Sequence, residues 1–291
     1  MQTEMKRILV CTNLDKDPSL SFTKEVLGFL RDKGVEASAF LPLISADQLP
    51  EDIPAETLCP DPKAYIKNAD LLLCLGGDGT ILHNSKLAAR NGVPMLGINL
   101  GHMGFIAELE REDMGRLSEV LEGRYTVENR MMLDYEVRRD GEKVCSGFGL
   151  NEAVVARQSP AHSIHLTAYG DEQTISDYSG DGIIIATPTG STAYSMAAGG
   201  PIVEPTAENL LLTPMCAHSL TAKPYVLAGD RHTSVRLVEG DAGEALLLVD
   251  GEDCFTLRSG DVVHIWKSDY VTRLVKLRKL SFYDVVRNKL I

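Results

Sequence analysis

The run Asp70-Leu71-Leu72-Leu73-Cys74-Leu75, followed at once by Gly76-Gly77-Asp78-Gly79-Thr80, constrains the fold more than any other stretch of this chain. A short continuous apolar run bounded by glycine reads as a strand buried on both faces. Ile81 to Arg90 has helical character, Asn91-Gly92 ends it, and Val93-Pro94-Met95-Leu96-Gly97-Ile98 is another apolar strand. Strand, glycine-rich turn, helix and strand predict a parallel sheet with a right-handed crossover. Upstream, Arg7 to Asn13 reads as a buried strand, and Phe22 to Lys33 sets Phe22, Val26, Phe29 and Leu30 at helical spacing. Gly34 is a C-cap candidate, and Val35 to Leu43 reads as a second strand. Pro42 to Pro62 holds five prolines and is expected to be a surface loop. Met114 to Leu121 has the pattern of one more amphipathic helix, closed by Gly123.

The second half changes character. Turn signals recur at Asp140-Gly141, Gly170-Asp171, Gly240-Asp241, Asp250-Gly251 and Gly260-Asp261, with β-rich runs such as Leu246–Val249 and Val262–Trp266 between them. This is the pattern of antiparallel hairpins. The fold class expected is therefore an α/β N-terminal domain with a Rossmann-like parallel sheet, plus an all-β, β-sandwich-like C-terminal domain. The domain boundaries read as 1–128, with the tail 270–291 packing back on it, and 129–269. Phe282 to Lys289 reads as a short helix in that tail.

Charge narrows the function classes. The 291 residues carry a formal net charge of −12, so a nucleic-acid strand would be repelled over most of the surface. An acidic protein still binds a small anion through a local device: backbone N–H groups, a helix N-terminus or a bridging metal. None of the six cysteines forms a C-x-x-C pair, so zinc and redox motifs are absent, and a reducing, cytoplasmic compartment is expected. Met1-Gln2-Thr3-Glu4 is polar, so no secretory leader is expected. No apolar run approaches the roughly 18 residues that span a membrane.

A glycine-rich turn between strand and helix lets backbone N–H groups approach phosphate oxygens. No Gly-Lys-Ser/Thr follows, so this is not a P-loop. Instead Asp78 places a carboxylate inside an anion cradle. Such a group repels phosphate unless a metal bridges them, or unless it takes the proton of a hydroxyl that attacks phosphate. The plainer alternative is that Asp78 or Thr80 caps the following helix.

Gly76-Gly77-Asp78-Gly79-Thr80 resembles the signature shared by NAD kinases, by diacylglycerol-type and sphingosine-type lipid kinases and, more distantly, by phosphofructokinases. Three further stretches choose among them. Gly97 to Glu108 is a strand running into a glycine-rich turn, with Phe105 offering an aromatic face or serving as ordinary core. Leu150-Asn151-Glu152-Ala153-Val154-Val155 sets an amide beside a carboxylate at the start of a β-run, either a pair able to hold ribose hydroxyls or a solvated turn before a strand. Asp181 to Ser195, with Thr187-Pro188-Thr189-Gly190-Ser191-Thr192 at its centre, runs an apolar strand into a patch of small and hydroxylated residues that would admit a flat ring. These stretches resemble those of NAD kinases, in the same order and spacing.

The resemblance implies phosphorylation of the 2′-hydroxyl on the adenosine ribose of NAD, with ATP as donor or inorganic polyphosphate in its place. It makes Asp78 the general base and lays Gly79 against the cofactor. His83 would lie near the phosphates, or be a half-exposed helix histidine. Phe105, Asn151, Glu152, His162, Asp181, Thr192, Ala193, Tyr194, Ser195, Ala197 and Glu252 would line the NAD site. Mg²⁺ is expected to arrive with ATP, held partly by Asp78 or Glu152. His162 and His165 form an H-x-x-H pair without an acidic or thiol partner at metal-site spacing. Ser179 stands where some members carry arginine, and Glu252 where many carry glutamine. A homodimer or homotetramer is expected. The competing readings are a lipid or small-alcohol kinase of the same superfamily and a non-catalytic NAD sensor. An NAD-dependent oxidoreductase is set aside, because Asn13-Leu14-Asp15 stands where G-x-G-x-x-G would follow the first strand.

Overall fold

The computed structural model describes residues 5–41, 58–101, 104–219, 221–238, 245–277 and 281–290, except the side chains of Asp253 and Cys254. Most of the expected 42–62 loop, His102-Met103 and the Gly240-Asp241 turn lie outside the described residues. The chain divides into two compact units, Met1–Asn129 with Thr272–Ile291, and Arg130–Val271.

The first unit carries β1 (Arg7–Thr12), α1 (Ser21–Asp32), β2 (Glu36–Phe40), α2 (Pro62–Tyr65), β3 (Leu71–Gly76), α3 (Asp78–Asn91), β4 (Met95–Asn99), β5 (Leu109–Glu110) and α4 (Leu117–Leu121). Strand order is β4-β3-β1-β2, and every pair is parallel. The chain moves outward from β1 to β2, then returns to the other side of β1 for β3. That reversal is the switch point at which open α/β sheets bind ligands, outside the carboxyl ends of the strands. The glycine-rich turn leaves β3 at that edge. Both faces of the sheet are covered. Phe22, Val26, Leu27 and Leu30 of α1 join Leu117 and Val120 of α4 against one face, and Ile81 and Ala88 of α3 pack with Leu9, Leu72 and Cys74 on the other. Removing a fully buried side chain such as Leu30 would cost about 2–5 kcal/mol.

Two local differences from the sequence pattern have simple causes. The predicted 114–121 helix is a 3₁₀ stretch over Arg111–Arg116 before α4, held at its start by reciprocal bonding between Glu110 and Asp113. Asp78 itself is helical, so α3 begins three residues earlier than the apolar periodicity implies.

Among the described residues, the second unit is β-structured apart from a 3₁₀ turn and one short helix. It holds β6 (Thr126–Arg139, beginning in the first unit), β7 (Glu142–Gly149), β8 (Glu152–Arg157), β9 (Ile164–Gly170), β10 (Gln173–Gly180), β11 (Gly182–Ala186), α5 (Tyr194–Ala197), β12 (Asn209–Met215), β13 (Tyr225–Ala228), β14 (Thr233–Leu237), β15 (Ala245–Val249) and β16 (Glu252–Leu257). β17 (Val262–Lys276) leads back to the first unit, where α6 (Phe282–Leu290) closes the described chain. One sheet runs β13-β12-β11-β8-β15-β16, antiparallel throughout. Ala153, Val155, Ile183, Ile185 and Leu247 from it meet Leu133, Leu166, Val235 and Ile265 from β6, β9, β14 and β17 in one core, which is a β-sandwich. Asp140-Gly141 and Asp250-Gly251 make their hairpin turns with both residues at positive φ.

Candidate active site

Asp78 opens α3 but does not cap it. Gly77 occupies the N-cap with no side-chain bond, and the Asp78 carboxylate turns away to another segment. Oδ2 accepts the Phe105 N–H at 2.6 Å, and Oδ1 accepts those of Ile106 and Ala107 at 3.0 and 3.1 Å. A carboxylate has about four lone-pair positions, so, counting bonds among the described residues, one remains, on Oδ2. The loop approaches so closely that a Cβ at Gly104 would lie 1.9 Å from Asp78 Oδ1. Gly79 is exposed beside it, with open space where a side chain would be. Asn13 at the end of β1 donates to Thr80 Oγ1, tying the turn to the first strand. His83 lies five residues along α3, about 140° round the helix from Asp78. It lines a cavity of ≈430 Å³ with Phe40, Cys59, Lys63, Asn84 and Leu87.

In the second unit a second aspartate repeats the device. Asp250 accepts the N–H groups of Leu150 at 2.8 Å, Asn151 at 2.8 Å and Glu152 at 3.3 Å. It thereby fixes the loop that enters β8. Asn151 and Glu152 are buried to 7% and 6% exposure, and Asn151 Oδ1 and Glu152 Oε2 have no hydrogen-bond partner among the described residues. Burial first, then the nearby Asp250 charge, pushes the Glu152 carboxyl up to about 8. Two buried acceptors left open are costly unless a ligand supplies donors.

The hydroxyl-rich stretch lies at the same end of the sheet, because Ala186 of β11 pairs with Glu152 of β8. Its hydroxyls mostly bond inward. Thr187 donates to Leu150 O at 2.6 Å, Ser191 bonds Val203 through both backbone groups, and Ser195 pairs with Thr213 Oγ1 at 2.9 Å with neither residue exposed. Gly190 sits against Asn151, where a Cβ would lie 2.2 Å from its carbonyl oxygen. Only glycine admits that approach. The chain then makes a 3₁₀ turn over Thr189–Thr192, followed by the single turn of α5. Thr192 and Ala193 are half-buried, Ala197 is exposed, and Tyr194 is 46% exposed.

Glu252 opens β16 at that end and is exposed. Asp181 and His162 lie at the other. Arg157, the last residue of β8, pairs with Asp181 at 2.9 Å, roughly 17 Å of strand from Glu152, and His162 is exposed in the loop beyond. Ser179 bonds Ser163 Oγ at 2.9 Å. The residues that motif reading missed are Asp250 and Gly104. Asp250 announced itself only as a hairpin turn, and Gly104 as one glycine among several.

The family model of the ATP-NAD kinase N-terminal domain matches residues 8–125, and that of the ATP-NAD kinase C-terminal domain matches residues 150–277. The chain belongs to the NAD kinase family. The NAD kinase of Symbiobacterium thermophilum is 40% identical over 287 residues, covering 98% of this chain and 99% of that protein. The NAD kinase of Ruminiclostridium cellulolyticum is 34% identical over 287 residues, 98% of each chain. Among solved structures, yeast NADH kinase complexed with NADH superposes with a TM-score of 0.85 at 25% identity, covering 99% of this chain and 88% of that one. An NAD kinase from Archaeoglobus fulgidus in complex with ATP gives 0.70 at 26% identity, covering 98% and 97%. Among the described residues, no helix is long and apolar enough to cross a membrane.

Proposed function

We propose that this chain transfers the γ-phosphoryl group of ATP to the 2′-hydroxyl of the adenosine ribose of NAD, giving NADP, with Asp78 as general base. The observation that carries the reading is the Asp78 carboxylate, fixed by three amides beside a glycine-rich turn with one lone pair left on Oδ2. A pure NAD sensor gains nothing from a carboxylate among phosphates, whereas a base needs a fixed acceptor within reach of the hydroxyl proton. In the second unit, Asn151 Oδ1 and Glu152 Oε2 are the open acceptors for ribose hydroxyls. With its carboxyl near 8, Glu152 is largely neutral at pH 7 and donates as well as accepts. Gly79 and His83 serve the phosphates. Phe105, Thr192, Ala193, Tyr194, Ala197 and Glu252 contribute to NAD contact, as do Asp181 and His162. Ser195 supports them from beneath through Thr213.

Positioning and charge neutralisation do most of the work of phosphoryl transfer. Among the described residues, no group of three His, Cys, Asp or Glu side chains could hold a metal ion. Asp78, engaged by three amides, and Glu152, largely neutral, would hold an Mg²⁺ ion arriving with ATP only in part. Such an ion would supply neutralisation of the phosphate charge. We read the enzyme as cytoplasmic, in keeping with the free thiols of Cys11, Cys59, Cys74, Cys145 and Cys216, and as a homodimer or homotetramer. Product analysis tests the reaction. With NAD, Mg²⁺ and either ATP or polyphosphate, ³¹P NMR of the product should show a 2′-phosphate. A 3′-phosphate, or no phosphorylated dinucleotide with either donor, would sink it.

A further inference from the structure

The loop that holds Asp78 is itself held from the C-terminal end of the chain, at two points. Glu108, buried just after the loop, accepts the Leu277 N–H at 2.8 Å and pairs with Lys276 Nζ at 2.6 Å. Within the loop, Lys289 Nζ sits 3.9 Å from the centroid of the Phe105 ring. Phe105 is also the residue whose N–H reaches Asp78 Oδ2 at 2.6 Å. One residue therefore joins the C-terminal helix to the carboxylate oxygen that retains a lone pair.

The helix is built to present that cation. Ser281 and Asp284 cap its start reciprocally, Oγ to carboxylate at 2.7 Å and Asp284 N–H to Ser281 Oγ at 3.2 Å, and Arg287 pairs with Asp284. Lys289 falls in the last turn, where the helix dipole favours a positive charge. It shares a face with Val285 and Val286, which are partly buried, whereas Tyr283 and Leu290 are exposed. A cation over one face of the Phe105 ring leaves at most the other for a ligand, so the ring serves the loop as well as any substrate.

We propose that Lys289 is a positioning residue: by clasping the Phe105 ring it fixes the Phe105 amide, and through it the direction of Asp78 Oδ2. The proposal rests on Asp78 acting as the base. Its test uses the full-length protein and two readouts, one independent of turnover. Lys289→Met keeps the apolar stem and removes the charge, and Lys289→Arg keeps a cation. In Lys289→Met, amide hydrogen exchange at residues 105–107 should quicken, and kcat should fall about two- to fivefold, with both KM values moving less than the rate. Lys289→Arg should restore exchange and rate together. Adding Lys289→Met to Phe105→Leu should cost nothing further, because the ring is already gone. Exchange unchanged in Lys289→Met overturns the proposal whatever the rates do. Faster exchange with kcat unchanged or raised overturns the positioning role. Should Asp78→Asn retain activity, the base reading fails, while the exchange result still decides whether the helix holds the loop.

Discussion

Alanine at position 104 isolates what the amide clamp contributes. The new Cβ would lie 1.9 Å from Asp78 Oδ1 and 2.5 Å from Cγ, against a contact floor of 3.0 Å. The carboxylate, or the loop, must therefore move by 3.0 − 1.9, about 1.1 Å. A shift of that size carries the bonds to Ile106 and Ala107, now 3.0 and 3.1 Å, beyond bonding distance if the movement lies along them. Misplacing a reacting group by about 1 Å costs on the order of 10²-fold in rate, or roughly 2.7 kcal/mol. We expect Gly104→Ala to lower kcat about a hundredfold while NAD affinity, measured by calorimetry, changes little. Combining it with Asp78→Asn should add little further loss, because both act on one group. A folded Gly104→Ala enzyme with kcat within threefold of the parent would refute the clamp as the source of the base's geometry.

Asp250→Ala should lower unfolding stability by about 2–4 kcal/mol and weaken NAD binding, since three amides lose their acceptor and alanine is strained at a φ of 56°; an unchanged denaturation midpoint would contradict it. The Glu152 carboxyl, raised from 4.5 to about 8, makes the folded chain bind more protons than the unfolded one between those values. Stability from this group is thus complete below pH 4.5 and is lost as pH rises toward 8, at up to about 1.36 kcal/mol per unit. Glu152→Gln should flatten the fall in thermal midpoint between pH 5 and pH 8, and parallel curves would rule the account out. Ser195→Ala should cost about 1–3 kcal/mol of stability by orphaning Thr213, with NAD affinity of the folded protein nearly unchanged; the reverse pattern would return Ser195 to the binding surface.

The fold was readable where local pattern and tertiary demand agree. Leu71 to Leu75 is apolar at every position because α1 and α4 cover one face of the sheet and α3 the other, and the Asp140-Gly141 and Asp250-Gly251 turns announce their hairpins through residues that tolerate positive φ. The site was readable in its position but not in its bonding. Asp78 meets Phe105 across 27 residues, and Asp250 meets Leu150 across 100, separations over which spacing carries no information. The hydroxyl run from Thr187 to Ser195 looked like a polar surface for a ring. In the fold, Thr187, Ser191 and Ser195 spend their hydroxyls on the backbone and on Thr213. Sequence order also hides that β8 and β11 are antiparallel, which sends Asp181 and Glu152 to opposite ends of the sheet.

The most direct test of the central claim is the rate of NADP formation from NAD, ATP and Mg²⁺, read through an NADP-specific dehydrogenase, for the parent chain and Asp78→Asn side by side. The account predicts turnover by the parent, and a loss of at least about 10²-fold in the variant, the scale of general-base catalysis, with NAD still bound. An Asp78→Asn protein that turns over at the parental rate, or a parent that binds NAD and never phosphorylates it, would contradict it.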